Sequence, residues 1–150
     1  MKKSFLAFVL IGLALSNLEA SPAYSREHER RSIIIDTVAI FETHLGQGNF
    51  TGLPGAWCAW AVSAVLRATG HRPLANGMAS SALAYGPHIT NPKRGDLVVM
   101  QTRHGPAGHV GIVVAFAGNQ IKIISGNWSH RVAYAWISRR SVTAFVRVNT

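Results

Sequence analysis

Cys58 is the single cysteine among 150 residues, and it follows the Gly-rich loop 46–56 (GQGNFTGLPGA) where a helical pattern begins. A helix N-terminus carries partial positive charge and unpaired N–H groups. Both favour a thiolate over a thiol, so this position predicts a depressed thiol pKa. The same N–H groups are suited to hold a developing oxyanion on an acyl carbon. The chemistry on offer is nucleophilic attack on a carbonyl, with stabilisation of the tetrahedral state. The plain alternative is a small apolar side chain on the inner face of a core helix.

A nucleophile of this kind needs a base, and the base needs an orienting partner. Seven histidines compete for the first role. His28 and His44 fall on a first helical segment, His71, His88 and His130 in loops or at element ends, and His104 in a Gly/Pro loop. His109 differs, because it starts the apolar run HVGIVVAF directly after that loop. A strand end is a rigid mount from which a ring still faces a cleft. The alternative is a histidine held at a strand end for packing. For the orienter, Asn127 lies on the inward face of Ile121–Ser125 if Lys122 faces solvent. A three-residue loop at Gly118-Asn119-Gln120 pairs Ala117 with Ile121 and sets Asn127 opposite Gly111, diagonal to His109. A loop pairing Phe116 with Ile121 reverses that relation. Gly126–Asn127 also reads as a plain turn.

These residues need elements to carry them. Ile34, Val38, Phe41 and Leu45 form a helical stripe within residues 25–45, ended by Gly46. A second helix runs from Trp57–Cys58 to Thr69, with Gly70 beyond it. A short helix over Met78–Tyr85 stops at Gly86–Pro87. After Pro92 the texture turns to β-rich runs: Asp96–Gln101, His109–Ala117, Ile121–Ser125, Val132–Ile137 and Val142–Val148. Helices first and five strands second, with short connections, predict an α+β domain: N-terminal helices packed on an antiparallel sheet. Hydrophobic content of 48% is enough for a real core.

Residues 1–20 read separately as a secretory signal peptide. Lys2 and Lys3 precede the apolar stretch Phe5–Leu15, and small residues follow at Ala20, Ser21 and Ala23. The apolar run is too short to span a bilayer, so no stable membrane insertion is expected after cleavage at Ala20 or Ala23. The domain is then 21–150, exported to the periplasm or beyond. A lone cysteine in an exported chain allows no internal disulfide. Removing residues 1–20 takes away Lys2, Lys3 and Glu19 and leaves a formal charge of +8. Four of the five remaining acids (Glu27, Glu29, Asp36, Glu42) crowd the N-terminal segment, and Asp96 is the fifth. Such a field concentrates polyanions. With no nucleic-acid signature in the chain, an anionic envelope polymer is the expected partner and nucleic acid is not.

The strings AWCAWAVSAVLRATG, NPKRGDLVVM, GHVGIVV, IISGNWSHRVAY and AFVR, in this order, resemble the CHAP-type amidases and peptidases. These stand with the NlpC/P60 enzymes among the papain-like cysteine hydrolases. The likeness spans roughly residues 30–148. It implies a papain-like NlpC/P60 (CHAP) fold and attack of a cysteine on an amide of peptidoglycan, by an endopeptidase or an N-acetylmuramoyl-L-alanine amidase. A histidine would serve as base and a polar residue would orient it. Carried over, these are Cys58, His109 and Asn127, with no cofactor. Members often have an acid two positions before the Asn; this chain has Ser125. An amide still holds the imidazole tautomer but stabilises an imidazolium less.

The Cys58 N–H, helped by Gln47 of the preceding loop, would hold the oxyanion, and Trp57 and Trp128 would flank the substrate. Rival chemistries fit less well. A glycosidase needs two carboxylates facing one bond, and only Glu42 and Asp96 are available. A zinc hydrolase needs convergent ligands; HExxH is absent, and His104 and His109 straddle a Gly/Pro loop. The alternative outside catalysis is a weak or inactive papain-like module that binds the anionic envelope or a protein partner. Ser125 in place of an acid is the feature that favours it.

Overall fold

A computed structural model describes residues 37–149; the segment 1–20, expected to be a signal peptide, and the start of the first helical stripe lie outside the described residues. Residues 37–42 are helical (α1) and bury Val38 and Phe41. The stripe stops short of Leu45, which is exposed. The chain leaves the helix there because its next backbone groups are taken by a strand: Gly46 N–H donates to Val132 O at 2.8 Å, and Val132 N–H donates to Gln47 O at 2.8 Å.

Helix α2 (Cys58–Ala68) follows the loop as expected. Thr69 closes it, and Gly70 takes φ +80°, the left-handed value that lets a chain turn out of a helix. Its apolar face, Cys58, Ala59, Ala61, Val62, Val65 and Leu66, is buried. The short helix expected over 78–85 is a 3₁₀ segment, Ala79–Ala84.

The rest is one antiparallel sheet of six strands in the order β1-β6-β2-β3-β4-β5. The strands are β1 (His88–Ile89), β2 (Leu97–Thr102), β3 (Gly105–Ala117), β4 (Gln120–Trp128), β5 (Arg131–Ser138) and β6 (Val142–Val146). The sequence suggests five. The extra strand, β1, is two residues long, too short for a period-two pattern, and pairs only with Val146 and Phe145. Gly105–Gly108, expected as a turn, begins β3 instead; Thr102 pairs with Gly105 and the turn contracts to Arg103–His104. The α+β class and the papain-like arrangement of helices against an antiparallel sheet are as expected.

Period-two alternation sorts the strands between two clusters. Leu97, Val99, Val110, Ile112 and Ile124 pack with α1, α2 and Ala79–Ala84. Val98, Met100, Val113, Ile121 and Ile123 fill the other side with Ile137 and Phe145. Helix α2 lies close on β4 because Gly126 has no side chain: a Cβ there would stand 2.5 Å from Ala61 Cβ and 2.6 Å from Trp57 Cζ3. Among the described residues no helix is long and apolar enough to cross a membrane.

Candidate active site

Cys58 is the first residue of α2 and is 4% exposed. Its sulfur meets the backbone N–H groups of Val110, Ala59 and Cys58 itself, which favour the thiolate. Burial outweighs them and pushes the thiol pKa up. The helix-start position alone predicts the opposite direction; it counts the local dipole and omits the loss of water around the sulfur.

The Val110 amide ties Cys58 to β3, where the preceding residue is His109. The imidazole is 9% exposed, and burial pushes its pKa down to about 4. Its Nε2 is hydrogen-bonded to Ser125 Oγ at 3.0 Å. Trp128 stands edge-on to the ring, with centroids 5.3 Å apart and planes at 77°. Both titratable groups are therefore held away from their charged forms by burial.

The partner of His109 follows from register. The β3–β4 turn has two residues, with Ala117 paired to Gln120 and Phe116 to Ile121. This replaces the three-residue loop that the sequence suggests. A bulge between Val113 and Ala115 then restores the face, giving Val113↔Ile123 and Ile112↔Ile124. One further step along that register sets Ser125 across from Gly111, the place expected for Asn127. The two changes slide β4 by two residues and leave Ser125 and His109 on the face of Met100, Val113 and Ile123, opposite the face that packs on α2 and Cys58; the structure brings imidazole and hydroxyl together, but not imidazole and thiol. Asn127 sits instead in the irregular stretch between Ser125 and Trp128, half-buried, at φ +57°. The hairpin closes just beyond it, with Ser129 and His130 at φ +51° and +64°.

A cleft of about 400 Å³ opens on Cys58. Its walls include Pro54, Trp60, Met78, Ser80, Ala107 and Gly108. Cys58 is the one expected site residue that lines it; Gly108 brings it to the residue before His109. Trp57 is a core residue at the N-cap of α2, edge-on to Phe50 at 6.1 Å. Gln47 is exposed, and its Oε1 is hydrogen-bonded to His44 Nδ1 at 2.9 Å. Trp60 and Met78 are the large walls. Met78 follows a glycine, Gly77, whose Cβ would fall 2.3 Å from Trp60 Cε2, so this segment is pressed against the indole. A glycine–methionine pair in a loop carries no periodic signal, which is why the sequence does not reveal this wall.

Comparison with solved structures gives the crystal structure of Ly7917 (TM-score 0.53, 18% identity), covering 77% of this chain and 62% of that one. The crystal structure of Ly7917 with the hydrolyzing product of MDP matches with TM-score 0.52 over the same shares, again at 18% identity. The chain thus spans 62% of the length of these structures and shares their fold. No curated protein matches it. The CHAP domain family model matches residues 49–127, from the loop before Cys58 through α2 and the β3–β4 hairpin to Asn127. That stretch is more than half of the sequence and holds the thiol, the imidazole and the hydroxyl bonded to it: the chain belongs to the CHAP domain family.

Proposed function

We propose that the protein is an exported cysteine hydrolase that cleaves an amide bond in peptidoglycan, with Cys58 as nucleophile and His109 as base and then acid. The observation that carries this reading is the seat of Cys58. Its sulfur opens α2, faces a cleft, and meets the N–H groups of Cys58, Ala59 and Val110. Those N–H groups are suited to hold the oxyanion once sulfur attacks the amide carbon. His109 takes the thiol proton and returns it to the leaving amine. Water then resolves the acyl-enzyme, its proton passing through His109 back to sulfur.

Family membership supports the substrate class. So does the product of MDP held by Ly7917, reading MDP as muramyl dipeptide. The signal-like residues 1–20 support export, and the basic charge would keep the mature chain near anionic wall polymers. The buried serine at His109, where an acid would stabilise an imidazolium, favours a second reading: a papain-like module that binds the envelope without cutting it.

Digestion of purified sacculi by wild type and Cys58→Ser, with products identified by mass spectrometry, decides between them. Hydrolysis by wild type alone, yielding new free amino groups without new reducing ends, is the expected result. Identical products from both proteins would end the hydrolase reading. Terminal sequencing of the secreted chain is expected to begin at Ser21 or Tyr24.

A further inference from the structure

We infer that the cleft beside Cys58 is a subsite for an uncharged aliphatic residue of the substrate, next to the amide that is cut, and that Met78 is the side chain that selects it. This rests on the hydrolase reading above and deepens it by naming the substrate class. The cleft holds about 400 Å³, at the small end of the range for ligand sites, about 300–1,000 Å³. That is room for a short stretch of peptide beside the thiol and not for a polymer strand.

The lining carries no charge. Among the described residues that form it there is no Asp, Glu, Lys, Arg or His, in a chain whose formal charge is +9. Trp60 and Met78 are its large walls, and Ala107 and Gly108 of β3 add a methyl group and backbone. An ammonium or carboxylate brought against such a lining loses water and gains no ionic partner. An aliphatic side chain gains by leaving water there. The basic field therefore acts on the polymer as a whole, while the cleft reads a neutral residue within it.

Met78 is 65% exposed, more than any other large apolar side chain among the described residues. Its backbone is nonetheless fixed. The Met78 N–H donates to Asn76 Oδ1 at 2.9 Å, Ser81 Oγ donates to the Met78 carbonyl at 2.7 Å, and Gly77 is pressed on the Trp60 indole. The exposure comes from where the segment is held, at the edge of the cleft. An unbranched thioether on a fixed stem adapts to aliphatic groups of differing shape. Ser80 also lines the cleft and makes no side-chain hydrogen bond among the described residues, which leaves its hydroxyl for a peptide group of the ligand.

The test is protection of Cys58 from iodoacetamide in the purified protein. Cys58 is 4% exposed and lines the cleft, so a peptide seated there blocks the reagent. The probes are the N-acetyl dipeptide amides of alanine, leucine, glutamate and lysine, and each variant is compared with its own rate without peptide. In wild type the alanine and leucine probes are expected to protect at concentrations at least about tenfold below the glutamate and lysine probes. Met78→Glu is expected to move the ratio of lysine to leucine protection by about tenfold towards lysine. Met78→Leu is expected to keep the wild-type order. Met78 is exposed, so neither change burdens folding.

Equal protection by all the probes, protection by a charged probe alone, or no protection by any of them overturns the inference. A ratio unmoved by Met78→Glu removes Met78 from the selection. Sacculus digestion by wild type and Cys58→Ser separates this from the hydrolase reading. Hydrolysis by wild type without selective protection fails the inference alone. Selective protection with no hydrolysis fails the hydrolase reading and leaves a cleft that binds neutral peptide.

Discussion

Replacing Gly126 with alanine tests whether close packing of α2 on β4 is what places the thiol. The added Cβ would stand 2.5 Å from Ala61 Cβ and 2.6 and 2.8 Å from two carbons of the Trp57 ring. Carbon atoms pack at about 3.5–4.0 Å, so helix and strand must separate by roughly 1 Å. Trp57 and Ala61 bracket Cys58, one residue before it and one turn after it, so the displacement falls on the nucleophile. Overpacking of this kind costs about 1–3 kcal/mol. A shift of about 1 Å at a reacting group lowers turnover by about a hundredfold. Urea unfolding reads the first effect; the rate of Cys58 alkylation and sacculus hydrolysis read the second. The expected pattern is a modest loss of stability with a much larger loss of activity. A variant within about 0.5 kcal/mol of wild type that keeps its alkylation rate would refute the packing argument.

Two further outcomes follow from the buried charges. His109 is pushed down to about 4 in the folded chain against 6.5 for a free imidazole, so the unfolded chain binds more protons between those values. Stability is then complete above about pH 6.5 and falls by about 3 kcal/mol as pH drops to about 4. Urea midpoints at several pH values should show this slope in wild type and a shallower one in His109→Gln; equal slopes would contradict it. Arg147 Nε lies 3.1 Å from Asp96 Oδ1, and the carboxyl is nearly fully buried. Arg147→Met strands that carboxyl with the Lys93 N–H at 2.7 Å on its other oxygen and should destabilise the protein by about 3–5 kcal/mol. A loss below about 1 kcal/mol in chemical denaturation would show that the ion pair is dispensable.

The sequence discloses the elements far better than their register. The apolar runs Leu97–Met100 and those around Val113 and Ile123 are strong because these strands are buried on both sides, and the helical stripe of α2 is equally plain. These patterns depend only on which residues avoid water. The partner of His109 depends on two single-residue details. One is a hairpin turn of two residues instead of three; the other is a bulge near Ala115. Neither changes hydrophobic content, so neither leaves a mark on the pattern, yet together they bring Ser125 to the ring where Asn127 was expected.

The thiol shows the same divide in electrostatics. Its setting at a helix start is local and readable, and the N–H groups it promises are present. The burial that outweighs them depends on distant parts of the chain: Val110 of β3, some fifty residues further along, is brought to the sulfur. A helix dipole is a property of a segment, whereas desolvation is a property of the whole fold. If Cys58 is the nucleophile, its activation then comes less from the helix end than from a substrate that displaces the last water.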